Sequence, residues 1–205
     1  MIVDILDLGM QPIANAFIDS KDVDKESFYR LIATYDTDMY SFSQKNILNP
    51  DDMFNSNYAY FSSNSKPMVE HFRKTAELLQ KQNPKSVLEI GSNDGCFIKN
   101  FPIDTSVCIE PSSNLANLTD ILGYKTYDEF FALHIVDKLL KTHGKFDLIY
   151  SANCICHIPS IDGVLESVSQ LLSDDGMFVF EDPSLLSMIQ KNSYDQIYDE
   201  HPYIF

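Results

Sequence analysis

The chain has 205 residues, 44% of them hydrophobic and 22% charged, enough to bury the core of one medium domain with an appendage. Its 30 acidic and 15 basic residues leave a net charge of −15, a field that repels a phosphate backbone and excludes nucleic acid as the main partner, while backbone amides can still bind small anions locally. The sequence contains no apolar run of about 18 residues, and Met1-Ile2-Val3-Asp4 lacks a basic stretch leading into an apolar one, so neither a membrane span nor a signal peptide is expected.

Residues 1–65 are rich in Asp, Asn, Ser, Tyr and Phe and only weakly periodic. They read as a small irregular N-terminal segment with short strands at Phe28 to Thr34 and Met39 to Phe42. From Lys66 the pattern changes. Pro67 suits a helix first turn, and Met68, Val69, Phe72, Ala76, Leu78 and Leu79 recur at mostly helical spacing until Asn83-Pro84. Strands are expected at Ser86 to Ile90, Ser106 to Glu110, Tyr124 to Thr126, Phe146 to Ser151 and Gly176 to Glu181. Between them lie a helical turn at Phe97 to Phe101 and helices at Asn114 to Leu122, Leu133 to Thr142 and Ile161 to Leu172. Such alternation through short loops predicts an α/β fold with a parallel, Rossmann-like sheet of about five strands and helices on both faces. The expected division is an N-terminal segment, 1–65, and a nucleotide-type domain, 66–205.

Four cysteines are present: Cys96, Cys108, Cys154 and Cys156. None makes a Cys-x-x-Cys pair, and Cys154-x-Cys156 is poor spacing for tetrahedral zinc. Reduced core thiols in a cytoplasmic protein are expected, with no metal.

Ligands of parallel sheets bind at the carboxyl ends of strands, and the motifs of this chain fall there. Val87 to Ile90 runs into Gly91-Ser92-Asn93-Asp94-Gly95, where glycines let the backbone turn sharply and approach a ligand. The spacing is not that of a dinucleotide fingerprint, and Glu89 and Asp94 would repel a pyrophosphate. They suit a ligand with a cationic amino group and no phosphate, which describes S-adenosylmethionine. Glu110, followed by Pro111, ends the next strand, where a carboxylate can accept ribose hydroxyls. A glycine turn alone is a common structural need; its combination with Glu110 carries the cofactor reading. Ser151 and Asn153 close the fourth strand, near the expected sulfonium. His157 follows, and by itself reads equally well as a loop histidine bonded to backbone.

Several segments, in order, resemble the sugar C-methyltransferases that act on nucleotide-linked deoxysugars: Leu8-Gly9-Met10-Gln11-Pro12-Ile13-Ala14-Asn15, Tyr58-Ala59-Tyr60-Phe61-Ser62-Ser63, Glu89 to Gly95, Ile109-Glu110-Pro111-Ser112, His157-Ile158-Pro159 and Tyr198-Asp199-Glu200-His201. The resemblance implies methylation of the carbon next to a keto group of a nucleotide-linked deoxysugar. A base removes the proton, the ketone holds the charge as an enolate, and the carbanion takes the methyl group. On this pattern His201 is the base, Glu200 orients or polarises it, and Tyr198, His157 and Tyr58 or Tyr60 hold the sugar or the enolate oxygen. Without the resemblance, Tyr198 to His201 would read as a polar turn before Pro202.

Three departures qualify the match. The family's zinc-binding cysteine pairs are missing, with Tyr35 and Asp38 where the second would fall, so no zinc is expected there. Asp199 replaces a histidine of the pattern Tyr-His-Glu-His, and beside Glu200 it is expected to raise the pKa of His201 if both carboxylates are ionised. Family members are about twice as long. A cofactor-binding module without activity, or half of a split enzyme needing a partner chain, therefore stands beside the methyltransferase reading, as does a methyltransferase for another small metabolite. An unpaired fifth strand further predicts self-association or only marginal stability of the isolated chain.

Overall fold

A computed structural model describes residues 1–38 and 40–205. The chain forms two compact units. One comprises Met1–Phe54, Asn153–Pro159 and Asp182–Phe205; the other comprises Asn55–Ala152 and Ser160–Glu181. The division is not linear at residue 65, because two later segments belong to the same unit as the N-terminus.

The first unit begins with β1 (Ile2–Pro12), which runs antiparallel to β2 (Phe28–Asp36), followed by β3 (Ser41–Gln44). This part is more regular than its weak periodicity suggests. β1 carries two register shifts, between Asp4 and Leu6 and between Asp7 and Met10, and Gly9 sits in the second at φ 74°. Residues Ile2 to Asp7 of β1 are all exposed, so no buried face marks this strand by two-residue alternation. The expected strand at Met39 to Phe42 is found from Ser41; Met39 lies outside the described residues. The short helix α1 (Pro50–Met53) follows, capped by Asn49, whose side chain accepts from the Asp51 amide.

The second unit starts with α2 (Lys66–Gln80), which has Ser65 as N-cap and proline in its first turn. Then come β4 (Val87–Ile90), β5 (Ser106–Ile109), α3 (Ser113–Ile121), β6 (Lys125–Tyr127), α4 (Leu133–His143), β7 (Phe146–Ala152), α5 (Ile161–Leu171) and β8 (Leu172–Glu181). The strands form one parallel sheet in the order β6-β5-β4-β7-β8, a Rossmann-like α/β architecture. Gly123 and Gly144 end α3 and α4 at φ 97° and 77°, conformations a side chain would strain. β8 begins four residues before the expected Gly176, since Leu172 already pairs with Phe146 across an irregularity in β7.

All four residues of β4 are buried, as befits the central strand of a sheet covered on both faces. Val87, Cys108, Leu148 and Tyr150 share one core with Phe72, Ala76 and Leu79 of α2 and with Phe97, whose ring stacks on Tyr150 at 3.6 Å. Alternation along β4 puts Glu89 on the same face as Val87. Chain order runs from β4 out to β6 on one side and then returns to β7 on the other. The switch point therefore lies between the ends of β4 and β7, where such sheets open a crevice.

The chain then returns to the first unit with α6 (Leu185–Lys191) and β9 (Tyr203–Ile204). Asn192 ends α6 in the left-handed conformation, with the Ser193 amide donating to the Met188 carbonyl. β9 pairs antiparallel with β3, matching Phe42 to Ile204, and Ala33, Phe42, Met188 and Ile204 form the core of this unit.

Candidate active site

The second unit places Gly91 to Gly95 directly after β4. Gly91, Asn93 and Gly95 have φ of 72°, 48° and 80°, so the loop coils through left-handed positions. A Cβ on Gly95 would stand 3.1 Å from the Thr119 methyl group. The Gly91 and Ser92 amides donate to the Ile109 carbonyl, which fastens the turn to the end of β5.

Glu110 completes that fastening. One carboxylate oxygen accepts from the Asn93 amide at 2.8 Å and the other from the Ser112 amide at 2.9 Å. Burial raises its pKa above the usual carboxylate range, and the two amide hydrogen bonds oppose the shift. Glu89 is 4% exposed and accepts from the Ile98 amide at 3.0 Å. Burial pushes it well above its ordinary value, so it holds the start of the following turn rather than presenting an open charge. Ser151 is fully buried at the end of β7 and donates to the Ile90 carbonyl, while Pro111 is half-buried.

Asn93 and Asp94 also do something unexpected. Asn93 Oδ1 accepts from the Ser62 amide and its Nδ2 donates to the Tyr60 carbonyl; Asp94 accepts from the Ser63 amide. Asn114 donates to the Tyr58 carbonyl. The Tyr58–Ser63 stretch is thus sewn by its backbone onto the glycine loop. Tyr58 is buried and Tyr60 is exposed. The signal was present, since Tyr58 to Ser63 is one of the segments behind the family resemblance.

The first unit brings His157, Tyr198, Glu200 and His201 together. Tyr198, Glu200 and His201 are near neighbours in the chain, and His157 joins them from the short helical turn Ile155–His157.

 

The His157 and His201 rings stack with centroids 4.9 Å apart, Phe54 stacks on the other side of His157 at 5.2 Å, and Tyr198 lies 4.3 Å from His201. His201 Nδ1 is 2.9 Å from the Gln196 carbonyl. A carbonyl only accepts, so Nδ1 carries the proton and Nε2 keeps a basic lone pair.

The Gln196 carbonyl is therefore the group that orients the His201 ring. Glu200 accepts from the Asn15 side-chain amide and is hydrogen-bonded to the Tyr198 hydroxyl, whose pKa burial raises. Gln44 donates to the backbone carbonyls of Tyr198 and His201 and holds the turn from β3. Asn15, Gln44 and Gln196 were not singled out in the sequence, although Asn15 ends the Leu8–Asn15 segment. Asn153 is exposed at φ 49°.

Asp199 corrects an expectation. It accepts from the Ala14 amide and interacts with Tyr29, and its own pKa is raised by burial. It does not raise His201. Burial instead pushes His201 down to about 4, partly opposed by the Gln196 hydrogen bond, and pushes His157 down to about 3.

These shifts have a sign. Between pH 6.5 and 4 the unfolded chain binds protons at both histidines that the folded chain does not. The stability they contribute is complete above about 6.5 and is lost as pH falls through about 4 and 3. From pH 7 to pH 5 the loss is expected to be about 2 kcal/mol per histidine. The buried carboxyls of Glu89, Glu110 and Asp199 act in the opposite sense. Melting curves of the wild type and of a His157→Asn/His201→Asn variant, compared at both pH values, isolate the histidine part; equal pH dependence in the two would refute it.

The parallel sheet, its switch point and the glycine loop fastened between two strand ends define the class of protein. A family model described as a methyltransferase domain matches residues 66–205, and the chain belongs to that family. The chain is 29% identical over 206 aligned residues to the C-methyltransferase NovU of Streptomyces niveus, covering 97% of this chain and 49% of that protein. It thus spans about half the length of this curated relative. Among solved structures, the plantazolicin methyltransferase BpumL in complex with a triazolic desmethylPZN analog and SAH is 18% identical with a TM-score of 0.48, covering 67% of this chain and 57% of that one. An S-adenosylmethionine-dependent methyltransferase from Clostridium acetobutylicum is 18% identical with a TM-score of 0.46, covering 60% and 54%.

Proposed function

We propose that this chain carries out, whole or as part of a longer enzyme, S-adenosylmethionine-dependent C-methylation next to the keto group of a nucleotide-linked deoxysugar. One observation carries the reading: a buried histidine, His201, whose Nδ1 proton is committed to a backbone carbonyl and whose Nε2 is left as a base beside Tyr198 and His157. Similarity to a C-methyltransferase supports it.

The glycine loop fits the cofactor. Its glycines take the left-handed conformations that let the backbone itself turn toward a ligand, and Asp94 Oδ1 is buried there without a hydrogen-bond partner. Gly91, Ser92, Asn93, Asp94 and Gly95, with Glu110, Pro111 and Ser151, would hold it, and Asn153 follows directly on β7. When bound, S-adenosylmethionine supplies an electrophilic methyl group. The chain's own residues handle the proton. His201 Nε2 removes it from the carbon beside the ketone, and the Gln196 carbonyl stabilises the resulting imidazolium through Nδ1. His157 donates to the enolate oxygen, joined by Tyr198 when its single hydroxyl proton turns from Glu200, and Tyr58 and Tyr60 are assigned to the sugar by the resemblance alone. Four free cysteines suit a cytoplasmic setting.

Calorimetry with S-adenosylmethionine, followed by incubation with a keto-deoxysugar nucleotide in heavy water, tests this. The expected results are cofactor binding and solvent deuterium at the carbon beside the ketone. Binding without exchange or methylation across such substrates would sink the sugar reading and leave another small-metabolite acceptor. A half-enzyme that requires a partner chain or self-association is favoured by one observation: among the described residues β8 pairs only with β7, and Phe180 on it is 48% exposed. Sedimentation of the isolated chain as a stable monomer would count against that second reading.

A further inference from the structure

One buried thiol, Cys156, has no part in the proposed reaction. Cys156 is fully buried, and its Sγ and one ring nitrogen each of His157 and His201 lie within 4.8 Å of one another. His157 Nε2 is buried with no hydrogen-bond partner, an orphaned polar atom in the middle of this cluster. The other histidine is arranged as metal-ligating histidines are, with its distal N–H donated to a backbone carbonyl.

We propose that Cys156, His157 and His201 form a site for a thiophilic divalent cation of the zinc type. Three protein ligands of this kind leave one tetrahedral position open. Bonds of about 2.3 Å to sulfur and 2.0–2.1 Å to nitrogen set ligand separations of about 3.3–3.7 Å, so the three atoms must close in by about 1 Å. Tilting the stacked imidazole rings toward each other supplies that movement. Coordination replaces the S–H bond by a metal–sulfur bond and releases one proton; the Asp182 carboxylate, hydrogen-bonded to the Cys156 thiol, is placed to receive it before solvent does. The sequence spacing concealed the site, because Cys154-x-Cys156 is the wrong pair and the second histidine is remote in the chain. A second consequence rests on the proposed function: the metal occupies the Nε2 lone pair of His201 and so blocks proton abstraction reversibly.

Cobalt(II) added to chelator-treated chain is the first probe. One equivalent is expected to give a thiolate-to-cobalt charge-transfer absorption with tetrahedral visible bands, bleached by zinc. Cys156→Ser should abolish the charge transfer, and His157→Asn or His201→Asn should weaken cobalt affinity at least tenfold. The charge transfer separates this site from surface carboxylates, which are abundant at a net charge of −15. Should Cys156→Ser fail to fold, X-ray absorption of zinc-loaded wild type must show one sulfur and two imidazole nitrogens. Absence of charge transfer, its persistence in Cys156→Ser, or an all-oxygen shell overturns the proposal. Zinc should also inhibit methyl transfer by the wild type and spare Cys156→Ser. If no methyl transfer is found under any condition, the proposed function fails while the cobalt spectrum still decides the metal site.

Discussion

His201→Asn is expected to lower the turnover of methyl transfer by about 10²–10⁴-fold while leaving S-adenosylmethionine affinity within about twofold. Asparagine can still donate to the Gln196 carbonyl, so the turn held by Gln44 should remain in place. What disappears is the lone pair at Nε2. Exchange of the substrate proton with solvent should fall by the same factor, because it reports abstraction before any methyl group moves. Glu200→Gln should cost less, since Glu200 acts on Tyr198 and Asn15. An active His201→Asn enzyme with normal exchange would move the base elsewhere, with His157 as the next candidate.

Glu110→Ala should have the largest effect on the cofactor side. Its carboxylate serves two backbone amides, those of Asn93 and Ser112, from a buried position. Alanine leaves both donors without an acceptor, a loss of about 2–5 kcal/mol in stability. Cofactor affinity should fall at least about tenfold, because the loop loses its tie to the end of β5. Glu110→Asp retains the charge on a shorter arm and should fall between. Thermal melting and calorimetry measure the two effects separately. A Glu110→Ala chain with unchanged melting and cofactor affinity would show that the Ile109 carbonyl contacts alone hold the loop.

Much of the second unit was legible in advance, and the reason is local. Its strands are short apolar runs flanked by helices with caps and glycine stops, so period and punctuation agree within each segment. The first unit hid itself because β1 buries no alternating face: Ile2 to Asp7 are all exposed, and register shifts between Asp4 and Leu6 and between Asp7 and Met10 interrupt its pairing. β9 is two residues long and acquires its strand character only by pairing with β3.

The chemical sites divide in the same way. Gly91 to Gly95 with Glu110 could be recognised because a left-handed turn after a buried strand admits few residue types. That the carboxylate of Glu110 ties the loop rather than standing open was invisible, as was the burial that raises the pKa of Glu89. Family resemblance singled out His157, Tyr198, Glu200 and His201, while the charge effect expected of Asp199, a departure from the family, is not found on His201. Sequence adjacency put that acid beside the histidine; the fold turned its carboxylate toward Ala14. The sequence by itself determined where the chain turns, which faces are apolar and which residue types stand at the strand ends, since those depend on short-range sterics and periodicity. Only the tertiary structure decided protonation and partnership, because burial and long-range hydrogen bonds, such as Asn15 to Glu200 and Gln44 to His201, join groups that the linear order keeps far apart.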